Sequence, residues 1–169
     1  MIYDPAILDV LQGLQPREWR GTVYRHMLAN YPPERDNTGG ARWNPPRVAA
    51  RYTSLERETA RAEAEYLLSS QHPRPRALRT LYTIRVRLLS VLDLTSSELL
   101  DRLGLGNTEL KAVSPAACQA IGGAVAWLGH DGLLVPSARY AGTNLVIYPT
   151  NTNPQMEFEV VGSEIIPEP

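Results

Sequence analysis

Apolar and polar positions alternate most clearly where Tyr82, Ile84, Val86 and Leu88 interleave with Thr83, Arg85 and Arg87. Successive strand side chains point to opposite faces, so the pattern predicts a strand with one polar face. Shorter stretches over 22–26 and 48–53 also read as strands, as do three late ones over 132–135, 145–148 and 157–161. The helical period shows elsewhere. Asp4-Pro5 followed by Ile7, Leu8, Leu11 and Leu14 predicts a short capped helix with proline at its first position. Ser54 is expected to cap a helix over 55–69, with Glu56 and Glu58 favourably placed in its first turn. There Ala60, Ala64, Leu67 and Leu68 recur every three to four residues and form one apolar face. Ser96 or Ser97 starts a short helix ending near Gly104. Ser114-Pro115 opens another that runs to Ala126, with Gly129 as its stop. The stretches 30–41 and 71–76 are rich in breakers and read as loops. Six strands and four helices, irregularly interleaved, do not make a doubly wound parallel sheet. The expected class is α+β, with a mostly antiparallel or split sheet.

Composition bounds this picture. With 169 residues the chain suits one domain over 1–169. An apolar fraction of 43% and a charged fraction of 21% are those of an ordinary globular protein. The lone cysteine, Cys118, excludes a disulfide framework. No apolar run reaches the ~20 residues of a membrane span. Asp4 and Asp9 without early positive charge do not make a secretory signal, so the cytoplasm is the expected compartment.

The net charge of −1 conceals an asymmetry. Residues 15–90 hold 14 Arg against 7 Asp or Glu, a balance of +7, whereas 91–169 carry −6. All basic residues but Lys111 are arginine, the side chain suited to bidentate grip on phosphate or carboxylate. An arginine-favouring composition accounts for that choice of side chain but not for its confinement to one half.

Three segments can carry chemistry. In the first, Tyr24-Arg25 precedes Gly39-Gly40-Ala41-Arg42-Trp43-Asn44. Adjacent glycines let backbone approach a ligand and form an anion-binding nest. Arg25 and Arg42 add charge-assisted bonds, and Trp43 a flat face for a ring. The competing reading is a surface loop whose tryptophan plugs the core. In the second, Tyr52 ends a strand and Glu63 follows two turns into the next helix. Glu65 competes on another face, about 200° around the helix. The third is Asp131 to Arg139, an apolar strand ending at Pro136-Ser137. No Gly-x-Ser-x-Gly elbow, phosphate loop, dinucleotide fingerprint or zinc spacing is present. His26 is the one histidine near a candidate segment, and Cys118 reads as a small core residue.

In order and spacing these segments resemble the RES-domain toxins, a family named for an arginine, a glutamate and a serine. The resemblance runs from about Gly21 to Pro149 and rests on Tyr24-Arg25, 39–44, 50–54, 58–63, 131–139 and Asn144. It places the family's arginine on Arg25, its glutamate on Glu63 and its serine on Ser137. Tyr52 joins these as a catalytic position, and Tyr24, Gly40, Arg42, Trp43, Asn44, Arg139 and Asn144 are expected to bind the substrate. It departs at Pro45-Pro46-Arg47, where many members have glycine, and at the inserted Ala41.

The resemblance implies a fold similar to the ADP-ribosyltransferase toxins, with a split sheet around an NAD cleft. It implies consumption of NAD without a metal, by hydrolysis, by phosphorolysis with inorganic phosphate, or by transfer of ADP-ribose to a protein. It also implies an Xre-type helix-turn-helix antitoxin that occludes the cleft and supplies any contact with DNA. Cleaving the nicotinamide–ribose bond builds positive charge on the ribose, which Glu63 is expected to stabilise. Ser137 is expected to hydrogen-bond the ribose or position the nicotinamide. A non-catalytic RNA-binding toxin is the reading from another class. Against it, basic residues are mixed with acids and no aromatic series offers a stacking platform.

Overall fold

The structure, a computed structural model, describes residues 2–28, 31–112 and 114–167. Residue 30 of the expected loop and the last two residues of the chain lie outside these bounds. The elements are α1 (Pro5–Gln12), β1 (Arg17–Leu28), β2 (Arg51–Ser54), α2 (Arg57–Ser69), β3 (Arg79–Asp93), α3 (Ser97–Arg102), α4 (Asn107–Lys111), α5 (Ala116–Trp127), β4 (Gly132–Pro136), β5 (Thr143–Ile147) and β6 (Glu157–Ile166). Asp4 caps α1 through the Ala6 amide, with Pro5 at the first position. Ser96 caps α3.

Strand order is β1-β2-β5-β4-β3-β6, and β1 also pairs along most of its length with β3. Five strands thereby close into a ring, and β6 adds to the outside of β3. Every pairing is antiparallel except β3 with β4. That parallel pair needs a crossover, which α3, α4 and α5 supply. The expected mostly antiparallel α+β sheet is the one observed. Its split lies between β1 and β2, which meet at the single pair Tyr24–Ser54.

The apolar runs of β4 and β5 are buried on both faces. Leu133, Val135 and Val146 face a core shared with Leu11, Trp43, Leu92, Ile121 and Tyr148 beneath the helices. Leu134, Leu145 and Ile147 face Val23, Ile84, Val86 and Leu88 from β1 and β3. Helix α5 reaches its place through small residues. A Cβ on Gly122 would overlap the carbonyl of Trp43, so this helix packs directly on the backbone of the 43–45 segment.

Several boundaries differ from the sequence pattern. The alternating strand extends over 15 residues, because its flanks also find partners in β1 and β6. Helix α4 was not expected; five residues are too few for a periodic signal. Ser54 is not a helix cap. It is the last residue of β2, and the cap position falls on Glu56, whose carboxylate accepts from Thr59 Oγ1 at 2.8 Å and the Thr143 amide at 3.1 Å. Leu67 leaves the buried face of α2: it is 54% exposed, whereas Leu68 is 1% exposed.

Candidate active site

The open side of the ring holds a cavity of about 340 Å³, within the range of small-molecule sites. Tyr24, Arg25 and His26 of β1, and Tyr52, Thr53 and Ser54 of β2, line it where the two strands part. Helix α2 covers it with Ala60, Glu63, Ala64 and Leu67, the i, i+3, i+4, i+7 stripe of a helix face. Asn37, Ala41, Arg42, Tyr66, Arg139 and Asn144 complete the wall. Glu63 is therefore the one charge in an otherwise apolar helical stripe.

One oxygen of Glu63 is held in place. Its Oε1 accepts from Ser137 Oγ at 2.6 Å and from Asn144 Nδ2 at 2.8 Å. Ser137, buried at the end of β4, accepts in turn from the amides of Arg139 at 3.1 Å and Tyr140 at 3.2 Å. Asn144 Oδ1 accepts from Ser54 Oγ at 2.7 Å. Register explains the convergence, since Ser54 and Asn144 are partners across β2 and β5, and Asn144 and Val135 across β5 and β4. Among the described residues Glu63 Oε2 accepts nothing, so the carboxylate is oriented through one oxygen and open at the other. Ser137 has a single proton and gives it to Glu63, which leaves it no donor for a ribose in this state. Glu65 stands apart: it pairs with Arg74 at 2.7 Å and Arg79 at 3.5 Å outside the cavity wall.

Three arginines line the cavity in different states of engagement. Arg25 is buried, with Nε donating to Met27 Sδ at 3.1 Å and one terminal nitrogen to Arg35 O at 2.5 Å. Its other terminal nitrogen is buried without a partner among the described residues. Burial, reinforced by the nearby Arg51 charge and opposed by Asp36 and Glu34, brings its pKa down to about 10, so it stays charged at neutral pH. Arg42 donates to the carbonyls of Leu110 at 2.7 Å and Ala112 at 3.2 Å. Its guanidinium thereby ties the cavity wall to the end of α4 through two of its N–H groups. Arg139 lies with its guanidinium carbon 3.3 Å from the centroid of the Tyr66 ring.

The Gly-Gly-Ala-Arg-Trp-Asn segment builds the frame of the cavity more than its binding face. Trp43 is 2% exposed and packs in the helix-side core, so the flat face expected for a ligand is turned inward. Asn44 is fully buried, donating to Val48 O at 2.7 Å and Asn37 O at 3.2 Å. Its Oδ1 accepts from the Tyr52 hydroxyl at 2.6 Å, which itself accepts from the Trp43 amide at 2.8 Å. Burial pushes the Tyr52 phenol well up. With its hydroxyl engaged on both sides, Tyr52 offers the cavity its ring. Gly40 takes φ +95°, as expected for a tight turn, but its amide donates to Asn37 Oδ1 at 3.1 Å and not to an open nest.

The sequence pattern placed His26 near a candidate segment but did not single out Ser54, Tyr66 or Leu67 as cavity residues. His26 Nε2 accepts from Arg79 Nε at 3.1 Å. Burial, with the Arg79 charge adding and Glu65 opposing, depresses its pKa to about 4, so its ring is neutral at pH 7. Among the described residues no group of three or more His, Cys, Asp or Glu is placed to hold a metal ion. No helix among them is long and apolar enough to cross a membrane.

A cavity between two diverging strands, with a glutamate over it and arginines around it, defines a small α+β enzyme-like domain. The RES domain profile matches residues 13–166, and the chain belongs to the RES-domain family. It is 32% identical over 166 residues to the NAD(+) phosphorylase MbcT of Mycobacterium tuberculosis (strain H37Rv), covering 89% of this chain and 86% of that protein. The identity to MbcT of Mycobacterium bovis is the same. A chain in the crystal structure of the M. tuberculosis MbcT–MbcA toxin–antitoxin complex superposes with a TM-score of 0.84 at 28% identity, over 96% of this chain and 93% of that one.

Proposed function

We propose that the protein is the toxin of a toxin–antitoxin pair and destroys NAD in the cytoplasm by cleaving its nicotinamide–ribose bond, with inorganic phosphate as the acceptor. The observation that carries this reading is Glu63, a carboxylate fixed through Oε1 and open at Oε2 over an arginine-lined cavity in a RES domain. The phosphorylase activity named for MbcT supports phosphate over water or a protein as acceptor.

As the glycosidic bond lengthens, its electron pair moves into the pyridinium ring and positive charge builds on the ribose. The ring departs as neutral nicotinamide and requires no general acid. A carboxylate pointed at the forming cation stabilises the transition state more than the ground state, because that charge exists only there. We assign to Arg25, with its buried and unpartnered nitrogen, the pyrophosphate of the dinucleotide, and to the ring of Tyr52 the nicotinamide or ribose. Ser137 and Asn144 orient the carboxylate. The partner is an antitoxin that covers the cavity mouth, of the Xre helix-turn-helix type, and DNA is reached only through it. The test is purified protein with NAD, with and without phosphate, followed by nicotinamide release. Release by the wild type that is lost in Glu63→Gln is the expected outcome, and equal release by both would overturn it.

A further inference from the structure

We infer that Arg139, set over the Tyr66 ring at the cavity wall, is the binding residue for the phosphate co-substrate and is distinct from the arginine that holds the dinucleotide. The inference rests on the phosphorolysis reading above and assigns its second anion a place.

The first argument is electrostatic. A phosphate that attacks the ribose must come close to Glu63, and two anions a few ångströms apart repel by on the order of 1 kcal/mol even in water, and more in a partly enclosed site. A cation on the nucleophile's side removes that penalty. Three arginines line the cavity, and two are partly engaged with protein acceptors. Arg42 donates through both terminal nitrogens to the carbonyls of Leu110 and Ala112. Arg25 is buried with two of its nitrogens engaged, which leaves one free nitrogen deep in the site. Among the described residues the Arg139 guanidinium makes no hydrogen bond or ion pair.

The second argument is geometric. The Arg139 guanidinium carbon sits 3.3 Å from the Tyr66 ring centroid. Stacking fixes the plane of a guanidinium while leaving its in-plane N–H groups outward, the fork that matches two phosphate oxygens. The turn that carries it is bolted to the reacting carboxylate, because the Arg139 amide donates to Ser137 Oγ and that hydroxyl donates to Glu63. Tyr66 is 43% exposed, so the stack lies where a small anion enters from solvent.

The step then balances without a redox partner. A phosphate oxygen forms the bond to the ribose anomeric carbon as the carbon–nitrogen bond to nicotinamide breaks, with its electron pair neutralising the pyridinium. Any proton on the phosphate stays there. The products are nicotinamide and ADP-ribose carrying the phosphate on its anomeric carbon.

The test measures KM for phosphate and for NAD separately in wild type, Arg139→Ala, Arg139→Lys, Tyr66→Ala and Tyr66→Phe. Losing a bidentate charge-assisted contact predicts a phosphate KM raised roughly 10- to 100-fold in Arg139→Ala, with NAD KM changed by less than about threefold. Arg139→Lys restores it in part, since a lysine keeps the charge but not the fork. Tyr66→Ala, which removes the ring beneath the guanidinium, raises phosphate KM, and Tyr66→Phe, which keeps the ring, raises it less. An unchanged phosphate KM in Arg139→Ala, or an equal rise in both KM values, overturns the inference while leaving phosphorolysis intact. Wild-type turnover that ignores phosphate overturns the phosphorolysis reading itself.

Discussion

Ser137 Oγ donates its only proton to Glu63 Oε1 at 2.6 Å while accepting two backbone amides from the turn that follows. Ser137 therefore holds the carboxylate in place, and on the proposed reading its effect on turnover is expected to pass through Glu63. Glu63→Gln is expected to lower kcat by about 100- to 1,000-fold, the usual cost of removing one well-placed electrostatic group. Ser137→Ala costs roughly 10- to 100-fold, the worth of a hydrogen bond to a charged group. Because the two act as a unit, the double variant should be little worse than Glu63→Gln alone. Additive losses, read from kcat for NAD, would separate their roles.

Arg25 is the deep cation with one buried, unpartnered nitrogen. Arg25→Met keeps the apolar stem and removes the charge. It is expected to raise KM for NAD by roughly 10- to 100-fold and to change kcat less. Steady-state kinetics at fixed phosphate checks this, and an unaltered NAD KM would place the pyrophosphate elsewhere.

Trp43 tests the frame against the binding face. As a core residue at 2% exposure, Trp43→Ala should cost about 3–5 kcal/mol of stability, measured by urea denaturation. Trp43→Phe should leave KM for NAD near wild type, because the ring does not face the cavity. A large rise in KM with stability intact would return it to the ligand.

His26 makes stability depend on pH. Its folded pKa is depressed to about 4, below the ordinary value near 6.5. Between those values the unfolded chain binds a proton that the folded protein does not, so stability rises with pH across that window and is lost as pH falls from about 6.5 towards 4. His26→Gln should flatten the slope of Tm against pH over that interval. An unchanged slope would mean that His26 titrates normally in the fold.

The sequence exposed much of this, and where it did not there are physical reasons. Glu63 was separable from Glu65 once the 60, 63, 64, 67 stripe was seen to face one cavity. From the pattern alone Leu67 joined Leu68 on a buried face, since both fall within three to four residues of Ala64. Which of two adjacent leucines is covered depends on what packs above the helix. Ser54 reads as a helix cap because serine before an acidic turn usually is one. Its strand role depends on Asn144, 90 positions away. The glycine-rich segment suggested an anion nest, yet Asn37 takes the Gly40 amide and Leu110 and Ala112 take Arg42. Residues that hold a loop and residues that hold a ligand share one composition, and only the identity of the acceptors distinguishes them.

The most direct measurement of the central claim is total cellular NAD within minutes of inducing the chain in a bacterium, beside a Glu63→Gln control expressed to the same level. The account predicts that NAD collapses before growth stops with the wild type and holds steady with the variant. Growth arrest with NAD undiminished would contradict it and point to modification of a protein target or to a binding mechanism.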